Sequence, residues 1–292
     1  MTTAILVDSS ACLPEELANH PDVYEVCLTV NFANGDTMKD SSKPADVEYF
    51  YGRLSQEKEL PTTSQPTPGD YFTVLDEIVA KGYENVLAVH LSKEISGTFH
   101  ASELSLAEYA DRLNVSVVNS RAASVIIQRI VEQSLELFEK GYPFEEVSRH
   151  AHWSAENSRV FLMVEDLQNL VTGGRLSAAG AFIGSMLRVR PHIRFTSEGS
   201  LEVFEKLRTN RRVYRRWAEL IKEQMDNYPQ GVDVLFAHAH DEEGIEEAIA
   251  LIKKELPDIE PGTRSMLGPL IGVHLGKGGK GVGLIPRLDL EE

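Results

Sequence analysis

Two stretches of the chain carry hydroxyl groups at a spacing that suits binding of a small anion. The first is Pro61-Thr62-Thr63-Ser64-Gln65-Pro66-Thr67-Pro68, with four hydroxyls, one amide and no charge. Its prolines hold the backbone extended and remove donors, which predicts a surface loop. It leads into a helical pattern over 69–80. The second is Ser92-Lys93-Glu94-Ile95-Ser96-Gly97-Thr98, which follows the apolar run Val86-Leu87-Ala88-Val89 and opens another helix. Backbone N–H groups and the helix dipole favour an anion at such N-termini without a cationic side chain. Thr63, Ser64, Ser96, Gly97 and Thr98 can therefore converge on one anion. Ser and Thr at helix starts are also ordinary N-caps, and the spacing fits that role equally.

A second pattern is electrostatic. Arg208, Arg211, Arg212, Arg215 and Arg216 fall at i, i+3, i+4, i+7 and i+8, one stripe of a helix whose opposite face is Val213, Trp217, Leu220 and Ile221. A single-sign stripe suits docking of an acidic partner or a phosphate; a solvated face is the alternative. Metal chemistry has little support. His238-Ala239-His240-Asp241 has ligand types but no third histidine or cysteine at a fixed spacing, and it sits where a strand-to-helix turn is needed. His150-Ala151-His152 points two ways on a predicted helix. Gly276, Gly278 and Gly281 match G-x-G-x-x-G, yet a strand-like run follows and no helix does, so no dinucleotide site is expected. Walker A and G-x-S-x-G patterns are absent. His274 stands beside this flexible glycine loop with no evident nucleophile. Arg175 follows the Gly173-Gly174 turn, and the segment 178–187 is rich in small residues, which demands close packing by a helix or an alkyl chain.

The elements that position these residues alternate strand and helix. Residues 4–7 form a short apolar run that ends in Asp8-Ser9-Ser10; 85–91 and 115–118 are similar, the latter ending in Asn119-Ser120-Arg121. Such runs read as buried parallel strands, and ligands sit at their carboxyl ends. Three polar strand ends along one sheet edge suit a shared site. Residues 23–32 and 37–40 flank Asn34-Gly35 as a hairpin, and 191–195 and 200–203 flank Glu198-Gly199 as another. Long helices are expected over 98–112, 122–140 and 144–156. The fold class is α/β with two domains, 1–158 with a mainly parallel sheet covered by helices, and 159–292, a smaller α/β sandwich with a mixed sheet.

Composition bounds the function. The net charge of −16, from 29 basic and 45 acidic residues, argues against sequence-independent nucleic-acid or anionic-membrane binding. Cys12 and Cys27 have no metal or redox spacing and suit a reducing compartment. The start of the chain reads as a strand and not a signal peptide, and no apolar segment reaches the ~18 residues of a membrane span. A cytoplasmic monomer without a cofactor is expected.

The ordered set Val7-Asp8-Ser9-Ser10-Ala11 with Leu13-Pro14, Thr63-Ser64-Gln65-Pro66, Ser96-Gly97-Thr98, Glu165-Asp166-Leu167, Gly173-Gly174-Arg175-Leu176-Ser177 and Gly272-Val273-His274 resembles the DegV family of bacterial fatty-acid-binding proteins. The resemblance implies two α/β domains with a long-chain fatty acid in the first. Its carboxylate would lie between the domains, held by Thr63 and Ser96 of the hydroxyl loops, with Arg175 and His274 near the head group. It further implies a partner kinase subunit that phosphorylates the bound carboxylate, and no catalytic turnover by this chain. The chain departs from the family pattern at Asn119-Ser120-Arg121, where Asp is usual at the first position, and at His274-Leu275-Gly276-Lys277-Gly278, where a proline-stiffened turn is usual. A stand-alone hydrolase or transferase using Ser96 with His274, or an interaction protein with the lipid as regulatory ligand, are the alternatives.

Overall fold

Strand β1 (Thr3–Asp8) and strand β6 (Asn85–His90) are apolar on successive residues because both of their faces are covered. They form the centre of a parallel sheet whose outer members are β2 (Val23–Val26) and β7 (Asn114–Asn119), in the order β2-β1-β6-β7. Ala4, Leu6, Val86 and Ala88 pack with residues of helix α3 (Pro68–Ala80) and helix α4 (Thr98–Ala107). Ile5, Val7, Leu87 and Val89 face the other way, into a core shared with helix α5 (Val125–Glu139). Helix α6 (Phe144–Asn157) lies beside α5.

The far side of α5 and α6 meets a second sheet. It is mixed, with strands β8 (Arg159–Met163), β9 (Arg190–Phe195), β10 (Leu201–Leu207), β11 (Val232–His238), β12 (Pro261–Met266) and β13 (Lys280–Pro286), in the order β10-β9-β8-β13-β11-β12. Only β11 and β12 run parallel. One face packs with helix α8 (Asn210–Asn227) and helix α9 (Glu242–Glu255) around Trp217 and Phe236. The layers therefore run helix, sheet, helix, sheet, helix. The computed structural model describes residues 2–176 and 190–288. Ser177 and the small-residue segment 178–187 lie outside the described residues.

The structure corrects several expected elements. The predicted strand 23–32 is split: β2 joins the parallel sheet, while β3 (Thr29–Asn31) pairs with β4 (Thr37–Lys39) around the Asn34-Gly35 turn. The loop expected at 61–68 contains a strand, β5 (Thr62–Ser64), which adds antiparallel to β3. Pairing decides this, since β3 has a free edge and Pro61 and Pro66 lie just outside the paired residues. The glycine-rich stretch before His274 is a short helix, α10 (Pro269–Leu275), with Pro269 at its first turn. Tertiary contacts seat it. Asp40 Oδ1 accepts from Leu270 N at 2.9 Å, Cys12 Sγ from Gly268 N at 3.4 Å, and the Tyr51 hydroxyl donates to Leu267 O at 3.0 Å. Helix α5 starts at Val125, not 122, because Ser124 has φ 53° and ψ −122°, outside any helical region. Arg208 lies outside α8: the Thr209 hydroxyl accepts from Arg212 N and caps the helix one residue later.

Candidate functional site

β5 has one residue facing inward. Side chains alternate along a strand, so Thr62 and Ser64 face out while Thr63 turns in. Ser64 is thereby separated from the site, and its hydroxyl accepts from Asn31 Nδ2 at 2.8 Å on the outer face. Thr63 Oγ1 shares a 3.0 Å hydrogen bond with His274 Nε2. The second hydroxyl loop approaches from the side. Ser96 Oγ bonds Thr98 Oγ1 at 2.9 Å and accepts from Thr98 N at 3.3 Å, forming the turn that starts α4. Thr98 itself is buried, with its carbonyl accepting from the Tyr71 hydroxyl. Gly97 leaves room for the Gln65 side-chain amide, which would collide with any Cβ there. That contact joins the two loops. Thr63 and Ser96 reach one common cavity; Ser64, Gly97 and Thr98 do not line it.

Two cationic residue types complete the polar end. Helix α7 (Gln168–Thr172) ends at the Gly173-Gly174 turn, and Arg175 follows it. Its guanidinium donates from Nε to Ile95 O at 3.1 Å and from Nη1 to Gly173 O. Arg175 thus bridges from the second half of the chain to the residue before Ser96. Burial lowers its pKa, although a guanidinium stays charged at neutral pH. His274, at the end of α10, lies against Gly173, where a Cβ would come within 2.6 Å of the imidazole Nδ1. That nitrogen has no hydrogen-bond partner among the described residues. Burial, then the charge of Arg175, push the His274 pKa down to about 4, so the ring is neutral at pH 7.

Behind these four groups lies an apolar cavity. Its walls come from both halves of the chain: Leu91, Ile95 and Val125 from the first, and Leu162, Leu270 and Ile271 among many from the second. The cavity is therefore walled mainly by the second sheet and α10. Gly281, Val282 and Gly283 of β13 form part of its floor.

The family model for uncharacterised proteins of the DegV family matches residues 2–287. The chain belongs to the DegV family. It is 29% identical to a DegV domain-containing protein of Staphylococcus aureus over 290 residues, 98% of each chain. The crystal structure of a fatty acid binding DegV family protein from Streptococcus agalactiae superposes with a TM-score of 0.88 at 28% identity, over 99% of this chain and 100% of that one. DegV from Bacillus subtilis, a fatty acid binding protein, gives 0.86 at 30% identity over 98% and 100%.

The remaining DegV motifs brace the site instead of lining it. Asp8, fully buried, accepts from Leu91 N at 2.9 Å and Ser10 N at 3.0 Å. It also accepts from the Ser10 hydroxyl and meets His90 Nδ1 at 3.1 Å, and His90 Nε2 meets Ser102 Oγ at 2.7 Å. This Asp-His-Ser line resembles a catalytic relay but all three residues have 0% exposure, so no substrate reaches the hydroxyl. Asn119 Oδ1 accepts from Lys93 N and Arg121 N, and Arg121 bonds Ser197 O and Glu156. The polar strand ends hold loops. Ser96 and His274 are not paired either, each being engaged by a threonine.

The histidine motifs are structural. His238 Nδ1 accepts from Asp241 N, Asp241 caps α9 and pairs with the buried Lys280, and His240 bonds Glu48. Among the described residues no cluster of three metal-ligating side chains occurs. On α8, Arg215 pairs with Glu255 and Arg216 with Glu205 and Glu219, which neutralises part of the stripe. Arg208, Arg211 and Arg212 are exposed. No described helix is long and apolar enough to cross a membrane.

Proposed function

We propose that this protein binds a long-chain fatty acid in the cavity between its two sheets and presents the carboxylate to a separate kinase subunit for acyl phosphate formation. The observation that carries the reading is one apolar cavity that ends at Thr63, Ser96, Arg175 and His274. Burial contributes about 0.8 kcal/mol per CH₂, so the tail supplies most of the gross affinity. Hydrogen bonds to a charged acceptor add roughly 1.5–3 kcal/mol each and orient the head. Arg175 spends two N–H groups on backbone carbonyls, so its charge acts on the carboxylate through the site without a full bidentate clamp. That leaves the carboxylate oxygens open to attack on a phosphoryl group. The neutral His274 takes either role, donor or acceptor, toward the head.

In this reading the chain is a monomeric carrier with no turnover of its own. Sheet boundaries support a division into 1–158 and 159–292, since the mixed sheet starts at Arg159. The unpaired Cys12 and Cys27 suit the cytoplasm. The exposed Arg211 and Arg212, with Arg208 and Arg215 beside them, are the docking face for the acidic kinase partner.

Fatty acid affinity and acyl phosphate formation in Thr63→Ala and Ser96→Ala proteins test the head-group assignment. Each variant should weaken binding of the acid about tenfold while leaving binding of the matching methyl ester nearly unchanged. Unchanged acid binding and unchanged phosphorylation in both would remove these residues from the site.

A further inference from the structure

β13 lies between β8 and β11 in the middle of the mixed sheet, where glycine weakens a strand and commonly marks a close approach by another group. Its two faces differ. Val282 and Leu284 are fully buried against the α8 and α9 side. Gly281 and Gly283 face the other way, and both belong to the cavity floor. Beside Gly281 the paired residue on β11 is Ala237, also in the floor, so small residues occupy neighbouring strands at one level.

The space above the two glycines is unequal. A Cβ at Gly281 would find Phe161 O at 3.3 Å and Leu162 Cβ at 3.5 Å as its nearest neighbours, both on the adjacent strand β8. No atom of the roof comes as near, so a side chain there grows into the cavity. A Cβ at Gly283 would meet Val125 Cγ2 at 3.0 Å and Ile126 Cδ1 at 3.1 Å, where α5 closes onto the sheet. The floor is open over Gly281 and pinched at Gly283.

We infer that Gly281 sets the length of acyl chain the cavity accepts, with Ala237 widening the same floor and the α5 contact at Gly283 limiting it. The ligand class is a long, unbranched acyl chain whose methylenes cross β13 at Gly281; a side chain there converts the cavity to one for shorter acids. This inference rests on the fatty acid reading of the cavity. It also explains why a central strand keeps two glycines at a cost in strand stability.

The experiment measures binding of saturated straight-chain fatty acids of increasing length to the full chain and to Gly281→Ala and Gly281→Val. The shortest acids that bind the wild type should bind the variants equally. The longest should lose roughly fourfold per excluded methylene, the 0.8 kcal/mol of one buried CH₂. Lipid-free Gly281→Ala should melt closer to the wild type than Gly283→Ala, for which Val125 and Ile126 must move. If Gly281→Val does not fold, Ala237→Val tests the same floor from the neighbouring strand. An equal loss at every chain length, or an unchanged length profile, overturns the inference. A wild type that binds no fatty acid of any length overturns the underlying reading instead, so the two failures are distinct.

Discussion

The two faces of the mixed sheet are made from the same strands and do opposite things. On one face Phe161, Phe236, Val282 and Leu284 meet Trp217 and Ile221 of α8 in a solid core. On the other, Gly281 and Ala237 leave open space under α10, while α5 closes onto Gly283. The filled face gains dispersion and burial energy at every position. The open face forgoes that gain, and a long apolar ligand can restore it. A strand thus separates stability from binding by alternating residue size across its pleat.

The comparison is broken most sharply at the filled face. Trp217→Ala should cost about 3–5 kcal/mol of folding stability, measured by denaturant unfolding, because it opens a cavity and also strips the Trp217 Nε1 donor from His192. The folded fraction should keep its fatty acid affinity. Loss of affinity in the folded fraction would mean that the two faces are coupled.

A second, smaller effect concerns how α10 is seated over the open face. Asp40 is buried and holds Leu270 N, and burial raises its pKa to about 6. Its folded pKa exceeds the unfolded one, so stability is greatest below the unfolded value and falls as pH rises through about 6. Asp40→Asn keeps an acceptor and should abolish that fall, on the order of 1–3 kcal/mol. His274 has the opposite sign. Its pKa is depressed to about 4, so the lipid-free protein loses stability as pH drops from the usual histidine range toward 4. His274→Gln should flatten that limb alone. A carboxylate beside His274 should raise its pKa, which an NMR titration of the loaded protein would record.

The smallest effect is at the junction of the faces, where Ser124 enters α5 with a positive φ and its buried hydroxyl lies beside the Cys12 thiol. Ser124→Gly should raise stability by about 1 kcal/mol in thermal unfolding, since strain relief exceeds the entropy cost of glycine. Destabilisation would show that the contact with Cys12 outweighs the strain.

Much of the filled architecture is legible in the amino-acid sequence. β1 and β6 read as buried parallel strands because both faces are apolar, and the α8 stripe separates cleanly from Val213 and Trp217. The two hydroxyl loops are also visible, since each runs into a helix start. The open face is not legible. Gly281 reads as the end of a glycine loop and only the run after it as a strand, because the signal for a strand is its side chains, and here one face has none. α10 has no local signal because its stability comes from Asp40, Cys12 and Tyr51, more than two hundred residues away in sequence. The inward turn of Thr63 and outward turn of Ser64 depend on pairing with β3, which no local pattern specifies.

The most direct measurement is denaturing organic extraction of the purified protein followed by mass spectrometry of the extract. The account expects a long-chain fatty acid in stoichiometric amount, or its stoichiometric uptake when lipid-free protein is supplied with one. An empty extract together with no uptake of added fatty acids would contradict the assignment of the cavity to an acyl chain.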